Sequence, residues 1–491
     1  MKISEQFNLN ATQFELDFVD IDTNTDTPLF LDPYFLGSKP DLWSISANRT
    51  LRSFFQRFID LVRNNSLQEA RALFNHLHEP NETCLGLSTG MPRGNAIGAK
   101  DGEKLFNSIL ESRAVQTGLV EDLEDFRLFI DGIDKDKISD MTTNIIRHHL
   151  ITYTQQQCEL WGIPLQPNVA TGFWWDGDRR RWVNGFTNML IIDGRKILLV
   201  PKSVVSFAKK YTASYYYNSF ILEYLQHEHL ATGSALIQHR KDGSPYVTKK
   251  SLKDETPFSK DFLADFTLNH GEVFADFKDW VSGNISAMKD LDILKSQSDR
   301  ENADEIANEY NLINIANYLI EKLRGIPAGN DSATDYHRCI VGILEFLLYP
   351  DLMSPVVENE IHEGRKRIDI TFDNSASSGF FYRLHTIYQT PAQFIAVECK
   401  NYSRDVANPE LDQLSGRFSL HRGKVGLLLC RTIDDMDRFI DRCKDTYVDN
   451  RGVIIPIVDE DLISLLQQLI DGTEKPQENF LADRFRSIAL R

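Results

Sequence analysis

Apolar positions recur at helical spacing between residues 49 and 78, where Leu51, Phe54, Phe55, Phe58, Ile59, Leu61 and Val62 gather on one side. Residues 104–165 carry the same period and predict further helices. The polar stretch Asp131–Asp140 interrupts them as a loop, and Ser139 or Asp140 caps the helix that follows. Before this region, residues 1–40 alternate apolar and acidic positions and predict a short strand and a turn. The pattern changes at residue 166. Met189–Ile192 and Ile197–Val200 flank Asp193-Gly194, the signature of a tight hairpin. Residues 205–240 and 256–324 return to helical spacing. Gly325–Ser332, with three glycine or proline residues before Asn330, reads as a linker.

Beyond residue 332 the pattern becomes α/β. Tyr336–Tyr349 predicts an apolar helix ended by Pro350. Val356–Ile361 and Arg367–Phe372 predict two strands of a hairpin. Phe394–Cys399 is nearly all apolar, as a strand buried on both faces requires. A helix over Pro409–Leu420, a strand over Lys424–Cys430, a helix over Ile433–Cys443, a strand over Gly452–Val458 and a helix over Asp461–Ile470 complete the order. The predicted class is multidomain α+β. A mainly helical region (1–165) precedes a hairpin-containing mixed region (166–330). A mixed-sheet α/β domain (331–475) and a tail (476–491) follow.

Two strand ends carry charge in an apolar setting. In Arg367-Ile368-Asp369-Ile370 the isoleucines point one way and Asp369 the other. In Val397-Glu398-Cys399-Lys400, Glu398 and Lys400 share a face. Two carboxylates and an ammonium on adjacent strands suit phosphodiester hydrolysis. Asp369, Glu398 and the backbone carbonyl of Cys399 are hard oxygen donors for Mg²⁺ or Mn²⁺. Such an ion activates water and offsets charge on phosphate, while Lys400 positions the attacking water.

This arrangement resembles the PD-(D/E)XK phosphodiesterase superfamily, whose members share the restriction-endonuclease-like fold. The matching residues are Asp369, then Glu398-Cys399-Lys400, then Gln413 in Leu411-Asp412-Gln413-Leu414-Ser415-Gly416-Arg417. The string Glu-Cys-Lys-Asn-Tyr followed by this glutamine is most similar to type IV restriction-type and Holliday-junction-resolvase-like branches. The resemblance implies a Mg²⁺-dependent endonuclease acting on DNA, with Asp369, Glu398, Lys400 and Gln413 catalytic. It also implies that Glu345, on the preceding helix, stands near the metal. By analogy it implies an antiviral (anti-phage) defence or restriction effector, acting as a homodimer and answering to a phage component or accessory protein. RNA cleavage, or nucleic-acid binding without cleavage, remains an alternative. The resemblance covers less than a third of the chain. The proline that the family places before the aspartate is absent, with Ile368 in its place. The 28 residues between Asp369 and Glu398 predict an inserted loop or extra strands.

Charge sharpens the picture. The whole chain of 491 residues carries −17, which excludes an indiscriminate nucleic-acid coat or polybasic membrane binder. Yet ten lysines and arginines stand against seven acids between Glu363 and Arg431. Local positive charge is what phosphate contact requires. Arg365, Lys366, Arg367, Arg404 and Arg417 are the candidate contacts. Arg179-Arg180-Arg181 beside Trp174, Trp175 and Trp182 reads either as a nucleic-acid grip or as a solvated hairpin edge.

Other motifs lead elsewhere. The six cysteines form no C-x-x-C pair and predict a reducing, cytoplasmic setting. The N-terminus lacks a signal-peptide apolar run, and no run approaches the ~20 residues of a membrane span. The glycine patch Gly86, Gly90, Gly94 and Gly98 fails the Walker A spacing and reads as a loop. His227-Glu228-His229 has the wrong spacing to share a metal on a helix.

Overall fold

The computed structural model describes residues 1–86, 106–206, 212–283, 312–361 and 366–490, apart from Pro28, Pro40, Gly118, residues 121–122, Asp134 and Ala407. Gly90, Gly94, Gly98 and Arg365 lie outside the described residues.

Two apolar cores organise the chain. The first runs from Ile3 to Phe277 and the second from Ile315 to Ile488. In the first, helix α1 (Leu42–Arg63) begins where the Asp41 carboxylate accepts the Ser44 N–H at 2.7 Å. Its buried stripe of Leu51, Phe54, Phe55, Phe58 and Leu61 is the one the spacing indicates. Helices α2 (Lys135–Ile145) and α3 (Arg147–Trp161) follow. Helix α2 corrects the expected loop over 131–140. Ile138, Met141 and Ile145 are buried at helical spacing, and this apolar stripe carries the helix back into the polar run. Ser139 is not a cap: it is buried inside α2, and its hydroxyl accepts the Leu31 N–H at 3.0 Å.

Strands β1 (Trp174–Asp176) and β2 (Arg181–Val183) form an antiparallel hairpin on α1. Trp175 is 1% exposed, and its ring centroid lies 5.1 Å from that of Phe54. Trp182 donates its indole N–H to the Leu73 carbonyl at 2.9 Å. These two rings belong to the core and are not a stacking platform, while Arg180 pairs with Asp60 at 2.7 Å. Strands β3 (Phe186–Ile192) and β4 (Arg195–Ile197) form the hairpin expected around Asp193-Gly194. Both turn residues have positive φ, 50° and 74°, the conformation that favours Asp-Gly. Helices α4 (Leu222–Thr232), α5 (Lys260–Asn269) and α6 (Gly271–Gly283) close this lobe.

The second lobe opens with α7 (Leu312–Gly325) and α8 (Ala333–Leu348). Strands β5 (Leu352–Ile361) and β6 (Lys366–Asn374) pair antiparallel, and α9 (Gly379–Thr386) follows. Then come β7 (Phe394–Lys400), α10 (Asn408–Ser415), β8 (Val425–Cys430), α11 (Met436–Val448), β9 (Val453–Val458), α12 (Asp459–Ile470) and α13 (Pro476–Ala489). The five strands form one mixed sheet in the order β5-β6-β7-β8-β9. The pairs β5–β6 and β6–β7 are antiparallel; β7–β8 and β8–β9 are parallel.

Three expectations change here. The segment between Asp369 and Glu398 holds helix α9, with Phe380, Phe381 and Leu384 buried, rather than a loop or extra strands. Residues 325–332 do not separate the lobes: Asn401 Nδ2 donates to the carbonyls of Pro327 and Gly329 at 3.1 and 2.8 Å, and α7 belongs to the second core. Residues 476–489 are a helix, not a tail, because Leu481, Phe485 and Ile488 are buried on one face.

The lobes meet along α7 and α8. Tyr318 donates to Glu15 at 2.9 Å, Lys322 forms an ion pair with the same carboxylate, and Tyr349 donates to Asp41 at 2.7 Å. All six cysteines are buried and unpaired. No helix among the described residues is long and apolar enough to cross a membrane.

Candidate active site

The register of the sheet places the site. Ile370 pairs with Val397 at the last rung of β6–β7, so the next position sets Asp369 opposite Glu398 on one face. There the ladder gives way. Instead of a backbone carbonyl, the Asp369 carboxylate accepts the Cys399 N–H at 3.0 Å. On the other side β7 keeps pairing with β8 as far as Lys400 opposite Cys430. The site thus lies where two antiparallel strands part, beside the carboxyl ends of three parallel strands, a common position for ligand sites in α/β sheets.

Glu398 is 0% exposed, and Lys400 is 8% exposed. Lys400 Nζ donates to Glu398 Oε1 at 2.7 Å and to Gln413 Oε1 at 3.2 Å. An ammonium has three N–H groups, so one remains for a substrate oxygen or a water. The second oxygen of Glu398 contacts the Arg417 guanidinium. Burial pushes the Arg417 pKa down from its ordinary value, and the nearby Asp369 charge opposes that shift.

Gln413 and Arg417 reach these strands because α10 lies close to the sheet. Gly426 on β8 pairs with Ala396, which shares a face with Glu398 and Lys400. A Cβ at Gly426 would stand 2.9 Å from the Phe418 ring and 3.0 Å from Leu414. The absence of a side chain there lets α10 approach the strands. On α8, His337 Nε2 lies 3.4 Å from the Cys399 carbonyl.

Asp369, Glu398, Lys400, Gln413 and Arg417 are therefore brought together. Arg417 is a buried partner of Glu398 rather than a surface contact. Arg404 is exposed, with its guanidinium 5.2 Å from the Tyr402 ring centroid. Lys366 and Arg367 lie at the start of β6. Glu345 corrects the expectation of a metal-side acid. Burial and the neighbouring Asp17 raise its pKa well above the ordinary carboxylate value, with Lys202 opposing, and it lines a cavity of about 50 Å³ with residues of both lobes. It does face inward, but toward the first lobe.

Sequence reasoning missed a neighbouring cluster. Asp459 follows β9 at the edge where Lys400 and Cys430 end. It accepts from Tyr336 at 2.8 Å and pairs with Arg431 at 3.0 Å. Burial raises its pKa to about 6 against the help of these partners. The signal that could have found it is a charge placed directly after each of two apolar strands, at Arg431 and Asp459.

Hard oxygens from Asp369, Glu398 and Cys399 fit a divalent cation of the Mg²⁺ class, provided Glu398 shares or exchanges its present partners. Among the described residues, no three His, Cys, Asp or Glu side chains gather as a ready metal cluster. The Cys399 thiol, raised well above its usual pKa by burial, is not poised as a nucleophile.

A family described as a domain of unknown function (DUF8370) matches residues 8–212, within the first lobe. No curated protein and no solved structure matches the chain.

Proposed function

We propose that the second lobe is a metal-dependent phosphodiesterase of the restriction-endonuclease-like class, hydrolysing DNA with Mg²⁺ or Mn²⁺. What supports the reading is the meeting of Asp369, Glu398, Lys400 and Gln413 from two strands and one helix. Asp369, Glu398 and the Cys399 carbonyl would hold the ion, which supplies water activation and charge compensation at the phosphate. Gln413 and Glu398 fix the Lys400 ammonium, and its remaining N–H orients the attacking water or a phosphate oxygen. Burial of Glu398 excludes bulk solvent and strengthens each of these contacts. Arg404, exposed near the strand ends, is placed to meet the nucleic-acid backbone.

The antiviral role, the homodimer and an activating phage component or accessory protein follow from the resemblance alone and form part of the proposal. The pairing of Glu398 with two cations favours a second reading, a binding protein of the same fold that does not cleave. Incubation of the full chain with supercoiled DNA and, separately, with total RNA, in Mg²⁺, Mn²⁺ or EDTA, separates them. Metal-dependent DNA nicking or linearisation supports the proposal. RNA cleavage alone moves the substrate to RNA, and intact substrates throughout favour the binding protein.

A further inference from the structure

Glu398 has its two oxygens on two different cations. Lys400 takes Oε1, and Arg417 Nη1 meets Oε2. Neither Nη1 nor Oε2 has another hydrogen-bond partner among the described residues. The Arg417 side chain is 8% exposed and that of Glu398 0%. The same guanidinium senses the charge of Asp369. The arginine therefore occupies an oxygen that a divalent ion would have to take. The four charges of Asp369, Glu398, Lys400 and Arg417 cancel, which is how a buried set of this kind is tolerated.

A second positive ion cannot simply be added to that set. A divalent cation between Asp369 and Glu398 would leave Arg417 buried beside like charge. The backbone of Arg417 is fixed just beyond α10, where its carbonyl accepts from Arg422 at 3.1 Å, but its long side chain extends from the end of the helix. Its planar fork matches a phosphate as well as a carboxylate.

We propose that Arg417 is a positioning residue that exchanges partners, holding Glu398 Oε2 until a divalent cation takes that oxygen and then turning to a non-bridging oxygen of the substrate phosphate. This rests on the metal-site reading of Asp369 and Glu398. In the ion-free protein the arginine holds Glu398 in place. In the loaded protein it compensates phosphate charge from outside the carboxylate pair.

The test is Mn²⁺ binding to the full chain by calorimetry without nucleic acid, for wild type, Arg417→Ala, Arg417→Gln and Arg417→Lys. Circular dichroism checks each fold, and the glutamine variant keeps a neutral, shorter side chain with N–H groups if alanine does not fold. Loss of a competing charged contact should tighten Mn²⁺ binding about tenfold or more in the alanine and glutamine variants. Lysine should restore near wild-type affinity, and cleavage should slow in both neutral variants. A merely structural arginine would not tighten metal binding when removed. Equal or weaker Mn²⁺ binding in both neutral variants overturns the proposal while leaving the metal site standing. Absence of Mn²⁺ binding in wild type and both neutral variants overturns the metal-site reading, and this proposal with it.

Discussion

Glu398→Gln should cost far more stability than Lys400→Met, although both remove one charge from the same contact. Glutamine keeps the shape of Glu398 but leaves Lys400 and Arg417 facing a neutral group. Their side chains are only 10% and 8% exposed, so water compensates neither well. Removing one partner of a buried pair costs about 3–5 kcal/mol, because the remaining charge is left uncompensated. Lys400→Met leaves Glu398 with Arg417 and replaces the amine by apolar bulk of similar reach. The loss is then one charge-assisted hydrogen bond, partly offset by the buried side chain, or about 1–2 kcal/mol. Two cores mean that global unfolding need not be a single transition. Hydrogen exchange of the β7 and β8 amides reads the stability of this lobe by itself. The expected difference is about 2 kcal/mol in favour of the lysine variant. A Lys400→Met protein as unstable as Glu398→Gln, or less stable, would refute the placing of Glu398 at the electrostatic centre.

Two further outcomes follow from the surroundings of the site. Burial first, then the charge of Asp17, holds the Glu345 pKa well above its ordinary value, with Lys202 opposing. The folded protein therefore keeps a proton that the unfolded chain releases near pH 4.5, and stability falls as pH rises from there toward the folded pKa. Thermal melts of Glu345→Gln and wild type should diverge in favour of the variant with rising pH; parallel curves would show that the carboxyl ionises freely. Gly426→Val should press on Leu414 and Phe418, lift α10 and withdraw Gln413 from Lys400. Cleavage should then fall at least about tenfold with the fold retained, and unchanged cleavage would contradict the role of that close approach.

The parts of the second lobe that were legible are those with strong local patterning. Phe394–Cys399 reads as a buried strand because its apolar run is continuous, and the Glu-Cys-Lys end stands out against it. The facing of Asp369 follows from the two isoleucines beside it, whereas Gln413 stands out only through the family resemblance. The start of α2 was hidden by its lysines and aspartates, although Ile138, Met141 and Ile145 carried the stripe. Helix α9 was masked by the polar residues around it. The destination of Glu345 was not legible at all. Its apolar neighbours announce burial, but only the docking of the lobes decides that its partners are Asp17 and Lys202. The Arg417–Glu398 contact likewise depends on how closely α10 meets the sheet. Arg417 stands beyond the end of α10, so nothing in the local sequence pattern gives its distance to β7.

The central question is whether the carboxylate opposite Glu398 is needed for hydrolysis. The direct measurement is single-turnover cleavage of supercoiled DNA in Mg²⁺ by wild type and Asp369→Asn, a variant that retains a side-chain oxygen to accept the Cys399 N–H. A folded variant slowed by about a hundredfold or more is the predicted result. An Asp369→Asn protein that cuts as fast as wild type would contradict it.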